Sequence, residues 1–159
     1  MKRLFVFLVV MLIVSMTIIS ASSAQDESSV MVGRIYHIEG SLLRYITAED
    51  DWVADVVDAP FGTGDTLYTG NQGQAELVVP NGTWIRISDN TQVQFIGLDS
   101  DIAEVDVASG LARFYNKDDN LVVKATSPFG YVIVYPGGAF DYYVGENSAE
   151  VVPVKGRIT

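Results

Sequence analysis

Few side chains of this 159-residue chain could take part in catalysis. His37 is the only histidine and there is no cysteine. A Ser-His-Asp triad would therefore have to use His37, and a thiol nucleophile is excluded. His37 lies in the alternating stretch RIYHIEG, which indicates a strand histidine on a polar face, near Arg34 or Glu39. The sequence predicts no catalytic residue, and we expect a protein that is not an enzyme.

Carboxylates are more numerous, and they cluster at residues 49–51, 99–101 and 118–119. Acidic loops can hold calcium through oxygen ligands, but none of these clusters has the spacing of an EF-hand loop. Glycoside hydrolysis would need two facing carboxylates, and no spacing here points to such a pair. We interpret the clusters as solvated turns and predict neither a metal nor a cofactor.

The aromatic side chains are better candidates for binding. Tyr142 and Tyr143 are adjacent, so in a strand one would point inward and the other outward. An exposed Trp84 flanked by Val78 and Arg86 could stack on a sugar or contact a partner's side chain. The alternative is that Trp84 covers the second layer of a sandwich. Val78, Trp84 and Arg86 are the predicted partner-binding residues.

A predicted β-hairpin positions these three residues. The stretch from Gly64 to Ile87 alternates apolar and polar residues and turns at Pro-Asn-Gly. Proline sets φ for a type I turn and the glycine takes the left-handed position after it, giving a three-residue loop. This loop pairs residues 79 with 83, 78 with 84, 77 with 85, and 76 with 86. Residues 75, 77, 85 and 87 then form the core face, and residues 76 and 86 form an ion pair on the other face.

The rest of the chain repeats this pattern of short strands and turns. Many short strands at this spacing predict an all-β fold, a twisted β-solenoid-like or sandwich domain of short antiparallel strands and hairpins. Residues 48–59 are ambiguous between one short helix and an irregular strand with a loop, and we favour the second. Besides the hairpin strands at 74–79 and 83–88, the predicted strands are 32–38, 42–46, 92–98, 103–107, 111–115, 121–125, 131–135, 140–144 and 150–154.

The N-terminus resembles a secretory signal peptide. Lys2 and Arg3 precede an apolar run to Ile19, and Ser22 and Ala24 suit a cleavage site. The sequence predicts a signal peptide at residues 1–24, a disordered leader at 25–29, one domain at 30–159, and a periplasmic or other extracytoplasmic location. An uncleaved segment would instead anchor the protein in the membrane. Cleavage removes two positive charges and lowers the net charge from −10 to −12, which argues against nucleic acid as a partner.

Five segments, in order, resemble the FecR domain family. They are VGRIYHIEGSLLRY, GDTLYTGNQGQAELVVPNGTWIRISDNTQVQF, VDVASGLARF, VKATSPFGYVIVYPGGAFDYYV and AEVVPVKGRI. The chain departs from the family pattern at Ser127, which intervenes before Pro128 where a Thr-Pro pair is usual, and at Gly137 and Gly138, which stand near the usual Gly-Thr. The resemblance implies an all-β extracytoplasmic domain without implying a ligand.

Signalling members of that family carry a cytoplasmic anti-sigma segment before their membrane helix. Only three residues precede the apolar run here, so we expect no direct control of a sigma factor. The leading hypothesis is recognition of another envelope protein or of a signal. One alternative is a carbohydrate or cell-wall binding module. Another is an assembly domain completed by a partner's strand at an open C-terminal edge.

Overall fold

The computed structural model describes residues 31–159, so the predicted signal peptide at 1–24 and leader at 25–29 lie outside the described residues. The described residues form thirteen strands, and the predicted all-β class is confirmed. In chain order these are β1 (Gly33–Glu39), β2 (Leu42–Ile46), β3 (Asp51–Ala54), β4 (Pro60–Phe61), β5 (Thr66–Thr69), β6 (Gln74–Val78), β7 (Trp84–Ile87), β8 (Gln92–Leu98), β9 (Ile102–Tyr115), β10 (Val122–Ser127), β11 (Gly130–Val134), β12 (Ala139–Val144) and β13 (Ala149–Lys155).

The strands form one curled, open and mostly antiparallel sheet, a half-barrel with two parts that share β9. The first half-sheet runs in the order β3-β2-β5-β8-β9-β10-β11. The second half-sheet runs in the order β4-β1-β6-β7-β9-β12-β13. Every pairing between described strands is antiparallel except that of β9 with β10.

Strand β9 is longer than the sequence predicts, and it joins the two half-sheets. The prediction of separate strands at 103–107 and 111–115 is wrong, because residues 102–115 form one strand. Its first part pairs with β8 and β10, and its last part pairs with β7 and β12. Gly110 lies where the partners change and has φ +89°. Glycine adopts this left-handed backbone readily, so it permits the strand to change direction without ending.

The predicted β6–β7 hairpin is confirmed in register and in turn. Glu76 pairs with Arg86, Leu77 with Ile85, and Val78 with Trp84. The loop is a single 3-10 turn at Pro80–Gly82, and Gly82 has φ +86°. Residues 48–59 form β3 and a loop, as favoured from the sequence, without a helix in this stretch.

The core lies on the inner face of the curled sheet. Phe61 of the second half-sheet stacks on Phe95 of the first, with ring centroids 4.2 Å apart. Phe114 stacks on Phe140 at 4.9 Å. Each fully buried aromatic side chain stabilises the fold by roughly 1.5–3 kcal/mol, and the contact of Phe61 with Phe95 joins the two half-sheets. Tyr142 points into this core and Tyr143 is exposed, as their adjacency in a strand predicts.

Candidate functional site

The outer face of the second half-sheet carries the three predicted partner-binding residues. The four hairpin residues of the core face, Ala75, Leu77, Ile85 and Ile87, are buried. Val78, Trp84 and Arg86 therefore face away from the core, because side chains alternate along a strand. Trp84 is half-buried on this outer face.

Strand β9 adds residues that the sequence did not associate with the hairpin. Its C-terminal part lies beside β7, which places Tyr115 opposite Trp84 and Arg113 opposite Arg86. Lys117 lies two residues after the end of the strand. A groove of about 260 Å³ results, and it is lined by Glu76, Trp84, Arg86, Tyr115 and Lys117. Val78 lies beside this groove, opposite Trp84 in the register and outside the lining.

Cations and aromatic rings contact one another across this groove. The Lys117 ammonium lies 4.7 Å from the centre of the Trp84 ring, and the Arg86 guanidinium lies 5.5 Å from that of Tyr115. Tyr36 of β1 packs edge-on against Trp84 with centroids 4.7 Å apart. We call Tyr36, Trp84, Arg86, Tyr115 and Lys117 the aromatic–cation surface. Since Lys117 lies over the Trp84 ring, that ring offers less open face for stacking on a sugar.

A row of charges crosses four neighbouring strands beside these rings. Glu76, Arg86, Arg113 and Asp141 lie in register on β6, β7, β9 and β12. Arg86 pairs with Glu76 at 2.7 Å, which confirms the predicted ion pair, and Arg113 forms a two-pronged pair with Asp141. The hydrogen bonds to Asp141, and then to the Tyr115 hydroxyl, raise the pKa of Arg113 above its usual value. An arginine side chain is always charged in proteins, so Arg113 contributes a positive charge to this row.

The surface presents more positive than negative charge to a partner. The Arg86 side chain is 52% exposed and that of its partner Glu76 is 24% exposed. For Arg113 and Asp141 the exposed fractions are 41% and 17%. Lys117 adds a further exposed cation. In a chain of net charge −10, this is a local reversal of sign, and it favours acidic groups on a partner.

Asn116 fixes the segment that carries Tyr115 and Lys117. Its side chain is buried and donates hydrogen bonds to the carbonyl oxygens of Leu121, at 2.6 Å, and Val134, at 3.2 Å. It accepts one from the Thr83 hydroxyl at 3.1 Å, next to the start of β7. The start of β7 and the segment after β9 are thereby held to one polar side chain, so the groove is largely preformed. The sequence carried no signal for this residue beyond a polar residue after a strand.

The remaining sequence candidates do not line this groove. His37 is exposed on β1, where it lies opposite Glu76 in the register. Asp118 accepts hydrogen bonds from the backbone N–H groups of Asn120 and Leu121, both at 2.6 Å, and these bonds lower the pKa of its carboxyl group. The acidic cluster at 118–119 thus includes a turn-stabilising carboxylate. Within residues 31–159, no three acidic or histidine side chains lie close enough together to hold a metal ion.

Comparison with known proteins finds structures that are similar to this chain at low sequence identity. No family model matches the chain, and no curated protein matches it. Two crystal structures, each of a candidate anti-sigma factor from Parabacteroides distasonis ATCC 8503, are similar to it with identities of 18% and 17% and a TM-score of 0.45. Each alignment covers 59% of this chain and 49% of the other, so the chain spans about half the length of those structures. Similarity of this extent leaves the function to be argued from the residues themselves.

The described residues also contain no helix that is long and apolar enough to cross a membrane.

Proposed function

We propose that this chain is a non-catalytic FecR-like recognition domain of the cell envelope, and that its aromatic–cation surface binds an acidic segment of another envelope protein. The observation that carries the proposal is the groove between Trp84, Arg86, Tyr115 and Lys117. There Arg86 is more exposed than Glu76, the carboxylate that pairs with it, and Lys117 adds a second exposed cation. Tryptophan, tyrosine and arginine are the residues that most often dominate binding energy at protein interfaces. The extracytoplasmic location rests on the signal-peptide pattern of residues 1–24.

A neutral glycan is the second candidate ligand, because aromatic rings on an exposed sheet face can stack on sugars. The position of Lys117 over the Trp84 ring makes this less favourable, since a sugar would have to displace the ammonium group. An acidic partner would instead use the same cation. The two candidates therefore differ in what Lys117 contributes: it strengthens binding of an acidic peptide and hinders stacking of a sugar.

Titration calorimetry with matched probes distinguishes the two ligands. The probes are a synthetic peptide of alternating glutamate and tyrosine, its glutamine and lysine counterparts, and neutral hexasaccharides of glucose and of N-acetylglucosamine. We expect the glutamate peptide to bind, with an affinity that falls as salt is added. Arg86→Gln and Lys117→Gln should each weaken binding about tenfold, since a charge-assisted hydrogen bond contributes about 1.5 kcal/mol.

Lys155→Gln is the matched control, because Lys155 is an exposed cation on β13 outside the groove lining. It should leave the affinity for the peptide unchanged. Equal loss with Lys155→Gln would mean that net charge alone governs binding. Hexasaccharide binding that Lys117→Gln strengthens would favour the glycan. Turnover of a glycan or an ester that one Asp or Glu substitution abolishes would contradict the non-catalytic role.

A further inference from the structure

A second and larger groove lies at the end of the molecule where β9 changes partners. Its volume is about 700 Å³, within the range of roughly 300–1,000 Å³ that is typical of ligand pockets. It is assembled from β9 around Gly110, the β7–β8 loop, the β10–β11 turn and the end of β12. None of its lining residues belongs to the aromatic–cation surface.

Three large apolar side chains stand exposed along this groove. Phe129 is 47% exposed, Tyr143 is 50% exposed and Leu111 is 36% exposed. Tyr143 and Leu111 face each other across β12 and β9, and Phe129 comes from the separate turn between β10 and β11. Exposed apolar side chains from separate elements that line one concavity are typical of a binding surface.

The apolar walls are held in place before any ligand arrives. The Phe129 backbone N–H donates to the Ser127 hydroxyl at 3.2 Å, and that hydroxyl lies 2.6 Å from the hydroxyl of Tyr142, a core residue. On the opposite wall, the backbone N–H of Leu111 donates to the buried Thr91 hydroxyl at 3.0 Å. Because these contacts reach into the core, a ligand would lose little affinity to ordering the groove.

The charge of this groove is opposite to that of the aromatic–cation surface. Asp89 and Glu146 lie on its rim, both exposed, and neither forms an ion pair with a described residue. Among the described residues, no lysine or arginine lines the groove. A ligand that fits must therefore bring apolar groups for the walls, and positive charge for the two carboxylates.

We propose that this groove binds an extended peptide segment of a partner protein in which a lysine or arginine stands next to a large apolar residue. The apolar side chain would lie between Phe129 and the Leu111–Tyr143 pair, and the cation would reach Asp89 or Glu146. This chemistry is complementary to the groove and is repelled by the aromatic–cation surface. The two surfaces would then bind different ligands at the same time.

Nuclear magnetic resonance of the isotope-labelled protein with four short synthetic peptides tests this proposal. The peptides combine arginine with leucine, arginine with serine, glutamine with leucine, and glutamate with leucine. We expect the arginine–leucine peptide, at about 1 mM, to shift the amide signals of residues 108–111 and 143–146, and the other three to bind at least tenfold more weakly. The Trp84 indole signal should stay unchanged, which separates this result from the proposed function above.

Matched variants locate the binding energy. Phe129→Ser and the double variant Asp89→Asn/Glu146→Gln should each weaken binding of the arginine–leucine peptide at least tenfold, and Tyr131→Ser and Asp119→Asn, both outside the groove lining, should not. Equal binding of the glutamine–leucine peptide, or no shift at these residues with any peptide, would overturn the proposal. Shifts with a neutral hexasaccharide in place of the peptide would show a glycan surface instead.

Discussion

Replacement of Asn116 by alanine should destabilise this protein more than any substitution on its outer face. The alanine removes the hydrogen-bond partner of the Thr83 hydroxyl and of the Leu121 and Val134 carbonyl oxygens. These contacts are shielded from water, since Asn116 is 2% exposed and Thr83 is fully buried. A buried polar group that loses its partner costs about 1–3 kcal/mol. Because carbonyl oxygens keep a second lone pair and the surroundings relax, we take the lower end for each and expect a loss of about 3 kcal/mol.

Urea unfolding followed by far-ultraviolet circular dichroism measures this loss. With a slope of about 1.5 kcal/mol per molar urea, the midpoint should fall by about 2 M. Asn120→Ala is the control, since Asn120 is exposed on the same loop and its replacement should change stability by less than about 0.5 kcal/mol. A fall of less than about 1 kcal/mol for Asn116→Ala would refute the reasoning, because the three buried groups would then have found other partners.

A double-mutant cycle checks the contact between Asn116 and Thr83. Thr83→Val removes the hydroxyl and keeps the shape, so alone it should cost about 1 kcal/mol. In the Asn116→Ala background the same replacement should restore about 1 kcal/mol, since it removes a buried hydroxyl that has already lost its partner. The coupling energy should therefore be about 2 kcal/mol, and an additive result would argue against the contact. Asn116→Ala should also weaken binding of the glutamate peptide, because Tyr115 and Lys117 flank this residue.

Three further predictions concern the backbone, acid stability and the sheet edge. Gly110→Ala should lower the unfolding free energy by about 3 kcal/mol, because its Cβ would lie 2.6 Å from the Thr91 Cα at φ +89°. Gly82→Ala, with φ +86° and no described atom within 4 Å of its Cβ, should lower it by only about 1 kcal/mol. Urea unfolding measures both, and equal losses would show that the crowding at Gly110 is relieved. The lowered pKa of Asp118 stabilises the fold above the ordinary carboxyl pKa, and this stability is lost as the pH falls through the lowered value. Asp118→Asn should therefore flatten the decline of the unfolding free energy on the acid side. An unchanged dependence of that free energy on pH would contradict this. Pro153 lies on β13, which in the described part of the chain pairs with β12 alone. The hydrogen bond from the Gly145 N–H to the Ser148 carbonyl sets the alternation of this ladder, and it places the N–H that proline lacks at the free edge. Pro153→Val should therefore promote self-association in light scattering, and a strict monomer at high concentration would argue against it.

The edge position of β13 also bears on the assembly hypothesis drawn from the sequence. Val151, Val152 and Val154 are exposed on this strand, as an edge open to a partner's strand would require. Pro153 interrupts the ladder at that edge, which hinders addition of another strand. We therefore favour the grooves over the edge as binding surfaces.

The sequence by itself determined what depends on neighbours along the chain. The register of β6 and β7, the inward and outward faces of the hairpin, and the ion pair between Glu76 and Arg86 all follow from a three-residue turn and the two-residue period of a strand. The same period predicted that one of Tyr142 and Tyr143 points inward and the other outward. These features are local, so a single sequence is sufficient to predict them.

Only the tertiary structure decided which strands lie beside that hairpin. No turn or period in the sequence places Tyr115 and Lys117 next to Trp84, because the pairing of β7 with β9 joins residues about thirty positions apart and depends on the packing of the whole core. The same holds for Asn116, whose polar contacts reach three separate segments, and for the larger groove, which four separate elements assemble. Gly110 shows the limit most clearly: a glycine that reads locally as a break lets one strand pass between two half-sheets, because strands on both sides of β9 hold it extended.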